Sequence, residues 1–453
     1  MASRRDQLQS HQFLSQRVIS ALVMRETDPP QSPLRRGIGA AFAGVMISVM
    51  VAAGFGVYGL LTKTGGDDWK TNGSVVIERD TGAAYVFQDG ELHPMLNYAS
   101  ALLVTGSAPR AVFREPASAL GSVPRGVMLG IPGAPDSLPD AAHVVGPPWT
   151  VCSVDGTTSL VVASAPPGAT SLGDRGLLVG DPATGGTELV WHGTRYAVAA
   201  GVLPALFGVV TPTDAGAAWL NAIPQGPDIA PTSVPGSGEP SAAAPGYDVG
   251  QLLSTQVGTG GVQYWMVVDS GLAPITELQK DIAVSQGAAD PQEISQADAT
   301  AIHRAPPPGR SDAQSWPSRP PQLVPAPGAM CATFRDPGAP TVSIGGVDRA
   351  PGIPTGGRAG NGAVLVDRMA VPPGRAAVVR VMASANSTIS GYYLVTDLGF
   401  RYAVATDDVL KMLGYRPDQA VAMPSAVVAL IPSGPALDPT AAAQPATTGT
   451  TGG

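Results

Sequence analysis

The chain has 453 residues, a net charge of −8, 44% hydrophobic residues and only 14% charged ones. That length holds about two to three domains, and the acidic balance excludes the basic footprint of a nucleic-acid binder. Two cysteines, Cys152 and Cys331, exclude a disulfide-rich scaffold and a cysteine-based zinc cluster, and the abundance of glycine (56) and proline (45) favours turns over long helices.

Residues 4–24 read RRDQLQSHQFLSQRVISALVM. Leu14, Val18, Ala21 and Leu22 fall at helical spacing, and Leu8, Phe13 and Ile19 broaden the stripe. Ser3 or Asp6 is the expected cap. Pro29, Pro30 and Pro33 end the helix because proline lacks an N–H donor and fixes φ. A short amphipathic helix has no core of its own, so its apolar face needs lipid headgroups or another protein. Leu8, Phe13, Leu14, Val18 and Leu22 are therefore candidate partner-docking residues.

Residues 37–62 carry no charge at any position. About 20 apolar residues suffice to cross the hydrocarbon core as a helix, and a signal peptide has a shorter apolar stretch, of about 7–15 residues. Arg4, Arg5, Arg17, Arg25, Arg35 and Arg36 precede this span, whereas Lys63, Asp67, Asp68 and Lys70 after it cancel. The positive-inside rule then places the N-terminus in the cytoplasm, with Arg35 and Arg36 fixing the topology. The organisation expected is a cytoplasmic helix over 1–28, a Pro/Arg joint over 29–36, a membrane span over 37–62 and an outer domain over 63–433.

The outer domain repeats a pattern: an apolar strand, a turn with glycine, a short segment ending in proline or alanine, and a helical run. It starts at Tyr85, Leu189, Tyr264 and Tyr392, with turn glycines Gly90, Gly193, Gly271 and Gly399. Units are expected near 75–110, 176–215, 258–290 and 385–420. The intervals between successive turn glycines are too unequal for a solenoid. Cys152 follows Gly90 at nearly the same distance as Cys331 follows Gly271, and the order unit, cysteine strand, unit occurs twice. The fold class expected is α+β: one transmembrane helix and a β-rich outer domain with four units around a pseudo-two-fold central core, whose strands lie around 127–165 and 328–370. An extracytoplasmic setting permits oxidation, so Cys152 and Cys331 are expected to bond to each other, with two buried free thiols as the alternative. Residues 224–247 read as a surface linker, 304–328 as an extended Pro-rich stretch packed through Trp316, and 434–453 as a disordered tail with nothing to bury.

No motif with a catalytic mechanism is present. The chain lacks G-x-x-x-x-G-K-[ST], G-x-S-x-G and H-E-x-x-H strings. His11, His93, His143, His192 and His303 are scattered, with His93 and His192 read as exposed turn histidines. Asp89, Asp269 and Asp397 recur at the unit turns, where aspartate bonds its own backbone. No catalytic, cofactor-binding or metal-binding residue is assigned.

The opening RRDQLQSHQFLSQRVISAL, the PLRR before one span, the two lone cysteines, the string DLGFRYAVA and the ending IPSGPALDPTAA together resemble EccB. EccB is a membrane component of the actinobacterial type VII (ESX) secretion system. The resemblance implies a plasma-membrane protein with a large periplasmic domain of four repeat subdomains and one disulfide. The repeats look like the cell-wall-binding repeats of phage lysins, which makes peptidoglycan a further candidate partner. The resemblance also implies assembly with EccC, EccD and EccE in a hexameric inner-membrane machine. The family is often described as an ATPase, which would require ATP with magnesium. The absence of a phosphate-cradling loop ranks that reading second to a structural role without cofactor.

Overall fold

The computed structural model describes residues 3–25, 33–62, 66–106, 112–258, 260–308, 316–325, 328–382 and 391–446. Helix α1 (Arg4–Met24) begins at Ser3, whose hydroxyl accepts from the Asp6 amide while the Asp6 carboxylate accepts from the Ser3 amide. This reciprocal box satisfies two donors that a helix start leaves orphaned. Helix α2 (Pro33–Thr62) carries Arg35 and Arg36 in its first turn. Its stretch Gly37–Gly59 is 23 uncharged residues, about 35 Å at helical rise and long enough to cross a bilayer core. Pro29 and Pro30 lie outside the described residues.

The rest of the described chain is β-rich and holds five sheets. Four of them have four strands in one order. The first and second strands pair antiparallel, the third pairs antiparallel with the second, and the fourth returns parallel to the first after a helix. In unit 1 these are Ser74–Glu78, Ala84–Gln88, Glu91–Pro94, helix Tyr98–Val104 and Val112–Glu115. In unit 2 they are Leu177–Gly180, Thr187–Trp191, Thr194–Val198, helix Leu203–Phe207 and Thr213–Asp214. Unit 3 has Leu252–Val257, Gly261–Val268, Gly271–Ile275, helix Glu277–Ser285 and Gln292–Glu293. Unit 4 has Ala376–Met382, Tyr392–Thr396, Arg401–Val404, helix Asp407–Met412 and Val421–Pro424. All four units end later than the sequence boundaries, after short closing helices at 117–120, 217–222, 296–301 and 425–429, and units 3 and 4 also begin earlier, because these elements carry no turn signal.

After its closing helix, each unit sends the chain back along its third strand as a strap. The bridges are Leu92 to Arg125, Arg195 to Gln225, Leu272 to Arg304 and Arg401 to Ser433, all parallel. The strap covers a strand edge that would otherwise present unpaired N–H and C=O groups. One residue further along, the chain must pass the ring of the third strand. A Cβ added at Gly126, Gly226 or Gly434 would stand 2.4, 2.4 or 2.3 Å from the ring of His93, Tyr196 or Tyr402. In unit 3 the same two positions hold Ala273 and Ala305, so a small residue replaces the ring and a methyl replaces the hydrogen.

The fifth sheet has seven strands in the order 353–354, 368–370, 157–161, 149–154, 330–334, 341–344, 170–171. Its two central strands, Trp149–Val154 and Met330–Phe334, are antiparallel, with Cys152 opposite Cys331. One face carries Trp149, Val151, Met330, Ala332 and Phe334 into a core shared with units 2 and 4. The other carries Cys152, Val154 and Cys331 beneath Val347. Unit 1 packs on unit 4 through Ala99 and Leu103 against Leu410 and Leu413. Unit 3 packs on unit 2 through Leu278 and Ile282 against Leu189 and Tyr196. The resulting order in space is unit 1, unit 4, central sheet, unit 2, unit 3.

Three expectations are corrected. Residues 434–446 are not a disordered tail: Leu437 and Ala442 are buried against units 4 and 1, Pro439–Ala442 is helical, and 447–453 lie outside the described residues. Residues 224–247 are not a free linker, because Ile229 and Ala244 are fully buried in the cores of units 2 and 3. Residues 127–131 belong to the strap of unit 1, not to the central core. In each case a short apolar side chain finds a partner that is remote in sequence. Trp316 is buried, and its indole N–H donates to the Pro227 carbonyl (3.2 Å).

The strap geometry is testable. Gly226→Ala should destabilise the protein by about 1–3 kcal/mol through overpacking on Tyr196. In a Tyr196→Ala background the same change should cost less than about 1 kcal/mol, as expected for two residues in direct contact. Urea unfolding of the four-member cycle measures both.

Candidate functional site

The centre of the molecule is a strand pair built from two β-favouring runs, WTVCSV and MCATF. The first ends at the Asp155–Gly156 turn, where both residues have positive φ (48° and 78°), as a two-residue type I′ hairpin requires. The structure joins Cys152 to Cys331 with an S–S distance of 2.09 Å, their Cα atoms 4.1 Å apart, and both side chains are buried. The Thr150 and Thr333 hydroxyls meet at 3.1 Å on the same face. Antiparallel register with each cysteine opposite its own counterpart is the arrangement through which a two-fold axis passes.

The units carry the same symmetry in their side chains. In units 1 and 3 a strap arginine covers an aromatic ring of the second strand: Arg125 over Tyr85 at 4.3 Å and Arg304 over Trp265 at 3.8 Å. In units 2 and 4 the guanidinium comes from the third strand instead. Arg195 pairs with Glu188 at 2.5 Å and Arg401 lies over Tyr393 at 5.2 Å. The strand position that supplies Arg195 and Arg401 is Leu92 and Leu272 in the other two units. One residue past the ring-bearing position, units 1 and 3 hold Pro94 and Pro274 where units 2 and 4 hold Ala197 and Ala403. Burial pushes the Glu188 carboxyl above its ordinary range, against the pull of Arg195, as expected for a desolvated ion pair.

All four turn glycines have positive φ: 84° at Gly90, 73° at Gly193, 131° at Gly271 and 80° at Gly399. Two of them also lie under close backbone. A Cβ at Gly193 would stand 2.2 Å from the Pro340 carbonyl, and one at Gly271 2.1 Å from that of His303. The residues beside these glycines tie each turn to the chain entering its own unit. Asp89 exchanges bonds with the Asn72 amide side chain (3.0 and 3.3 Å), and His192 Nε2 meets Asp174 (2.9 Å). Asp269 accepts from the Ala242 amide (3.2 Å) and Asp397 from that of Gly374 (2.7 Å). His192 is the exposed turn residue expected from the sequence and stacks on Trp191. His93 is not in a turn but half-buried on a strand, its Nδ1 3.1 Å from the Val127 carbonyl.

Among the described residues, no group of three or more His, Cys, Asp or Glu is placed to hold a metal ion. A cavity of about 960 Å³ beside unit 1 is lined by Ile77, Met95 and Tyr98 with exposed Arg79, Arg114 and Asp136. Its lining also includes Asp68, Glu115 and Ser137. Most of the exposed large apolar side chains among the described residues are on the two leading helices. Leu8, Phe13, Leu14, Val18 and Leu22 of α1 are all exposed, Phe13 by 64%. The apolar side chains of α2 between Ile38 and Tyr58 are exposed as well.

Sequence reasoning missed the strap glycines and the alternating arginines. A signal was present: Gly126, Gly226, Ala305 and Gly434 follow their turn glycines at nearly constant spacing.

An apolar helix fit to cross a bilayer, followed by a multi-unit β body stapled at its centre, defines an anchored framework protein. The family profile for the type VII secretion system ESX-1 transport TM domain B, EccB, matches residues 1–448, and the chain belongs to that family. The protein named ESX-2 secretion system ATPase EccB2 of Mycobacterium tuberculosis is 28% identical, over 97% of this chain and 94% of its own. The ESX-3 secretion system ATPase EccB3 of Mycolicibacterium smegmatis is also 28% identical, over 96% and 89%. The solved EccB3 dimer from the ESX-3 core complex superposes with a TM-score of 0.64 at 26% identity, covering 82% of this chain and all of that one. A chain of the intact ESX-5 inner membrane complex shares the fold, with a TM-score of 0.67 at 23% identity, covering 100% of this chain and 97% of that one.

The staple predicts that non-reducing peptide mapping recovers a Cys152–Cys331 cross-linked peptide; two alkylatable thiols would contradict it. Replacing both cysteines by alanine should lower stability by about 2–5 kcal/mol, as removal of a native disulfide does elsewhere.

Proposed function

We propose that this chain is a single-pass structural subunit of a type VII secretion membrane complex. In this reading α2 spans the plasma membrane, α1 lies on the cytoplasmic side, and the β body from residue 66 to residue 446 stands in the periplasm. The arginines before the span and the balanced charges after it support that orientation. The body self-associates and frames the export path, and α1 docks on cytoplasmic partners. The partners proposed are EccC, EccD and EccE in a hexameric assembly, with EccC as the motor. Peptidoglycan is a secondary candidate for the units.

The observation that carries this reading is the pair of leading helices. Their large apolar side chains are exposed in a continuous series, while the body buries most of its own in shared cores and exposes only scattered ones such as Val209 and Leu398. An α1 with seven large exposed apolar residues needs a cover, and a protein surface provides one as readily as headgroups do. Replacing Phe13, Leu14 and Val18 together by aspartate should abolish co-purification of the other complex members while the chain still fractionates with membranes. An intact complex after that change would sink the docking claim.

A second reading, ATP hydrolysis, rests on the names of the relatives alone. This sequence offers no phosphate-cradling string. The purified full chain, free of the motor subunit, should show no turnover with ATP and magnesium above a buffer control. Turnover that persists through further purification would establish the enzymatic reading.

A further inference from the structure

We propose that residues 434–446 act as a clasp that seats unit 1, the unit that follows α2 in the chain, against unit 4. The segment first serves as the strap of unit 4: the Gly434 amide donates to the Arg401 carbonyl (2.9 Å) and the Leu437 amide to that of Ala403 (2.8 Å). It then leaves its own unit. Asp438 caps the short helix Pro439–Ala442 by accepting from the Ala441 amide (2.8 Å), and this helix lies on the unit 1 helix Tyr98–Val104. Finally the chain pairs with the strap of unit 1. The Gly130 amide donates to the Gln444 carbonyl (3.3 Å), the Ala446 amide donates to that of Met128 (2.9 Å), and Leu129 bridges Pro445 antiparallel.

The pseudo-two-fold gives this path a meaning. Its mate is the segment 224–250, which straps unit 2 and then crosses to unit 3, placing Val234 beside Leu252, Met266 and Ile275. That mate runs on directly into the first strand of unit 3 at Leu252. Residues 447–453, TTGTTGG, follow the clasp and carry no apolar side chain. The clasp meets unit 1 through small contacts, Ala442, part of Leu437 and a few backbone pairings, and such local contacts open at lower free energy than a whole domain. Unit 1 otherwise meets unit 4 through Ala99 and Leu103, and through the connector bonds from Tyr415 to Pro139 (2.6 Å) and from Gln419 to Ala141 (2.8 Å). The clasp sets how firmly unit 1 is seated, and it leaves the central sheet untouched.

Hydrogen exchange on the detergent-solubilised full chain tests this with Ala442→Asp, which puts a charge into a fully buried position. A second variant lacks residues 439–453. In both, amides of 98–104 and 125–131 should exchange at least about tenfold faster, while those of 149–154 and 330–334 stay within about twofold of wild type, the signature of sub-global opening. Unchanged exchange in unit 1 overturns the proposal. So does acceleration that reaches the central sheet, or a chain that fails to fold in either variant, because the segment would then belong to the global core.

Discussion

The body depends on one pairing, the antiparallel contact between strands 149–154 and 330–334. Its residues are far apart in the chain, with a separation of 179 between the two cysteines, so forming it requires closing a long loop. Once formed, its register settles much of the rest. A slip of one residue would turn Trp149, Val151 and Phe334 away from the core that holds units 2 and 4 and bring Cys152 into it. The disulfide holds the register at the one place where each strand faces its own counterpart. Chain-entropy arguments give a closed loop of this length about 5 kcal/mol as an upper figure.

The arrangement of the units follows. Units 2 and 4 share the core of the central sheet, and units 3 and 1 attach to them from outside. Each half of the chain therefore sends its second unit to the central sheet, while its first unit packs on the other half's second unit, unit 1 on unit 4 and unit 3 on unit 2. The side chains keep the same rule. A guanidinium sits beside the second strand in all four units, but it comes from the strap in units 1 and 3 and from the third strand in units 2 and 4. The aspartates that recur at the turns, and His192, bind backbone or side chains of the chain entering their own unit. These polar groups, which the sequence already reads as turn formers, hold the body in shape.

The sequence made the local features readable. A long uncharged run, a capped amphipathic stretch, glycine turns after apolar strands and two matched cysteines each have a short-range signature. What it hid was long-range. The first strands of units 3 and 4, Leu252–Val257 and Ala376–Met382, lie ahead of the expected unit starts because no turn marks them. Leu437 and Ala442 lie in a stretch of small and proline residues that reads as tail until the helix at 98–104, near the other end of the chain, is placed beside it. The 224–247 segment misleads for the same reason, since its Pro, Gly and Ser content describes a solvated loop while Ile229 and Ala244 anchor it in two cores.

The interleaving of the halves is the claim on which this account stands, and cutting the chain between them tests it most directly. A protease site placed at the exposed segment 236–238 would sever unit 2 from unit 3, and Cys152→Ala with Cys331→Ala removes the covalent staple. After cleavage without denaturant, the two fragments should elute from a sizing column as one particle of full mass, held by the central strand pair and the unit 1 to unit 4 and unit 2 to unit 3 cores. Two separate, folded half-size particles would show that each half packs on itself and would contradict the account.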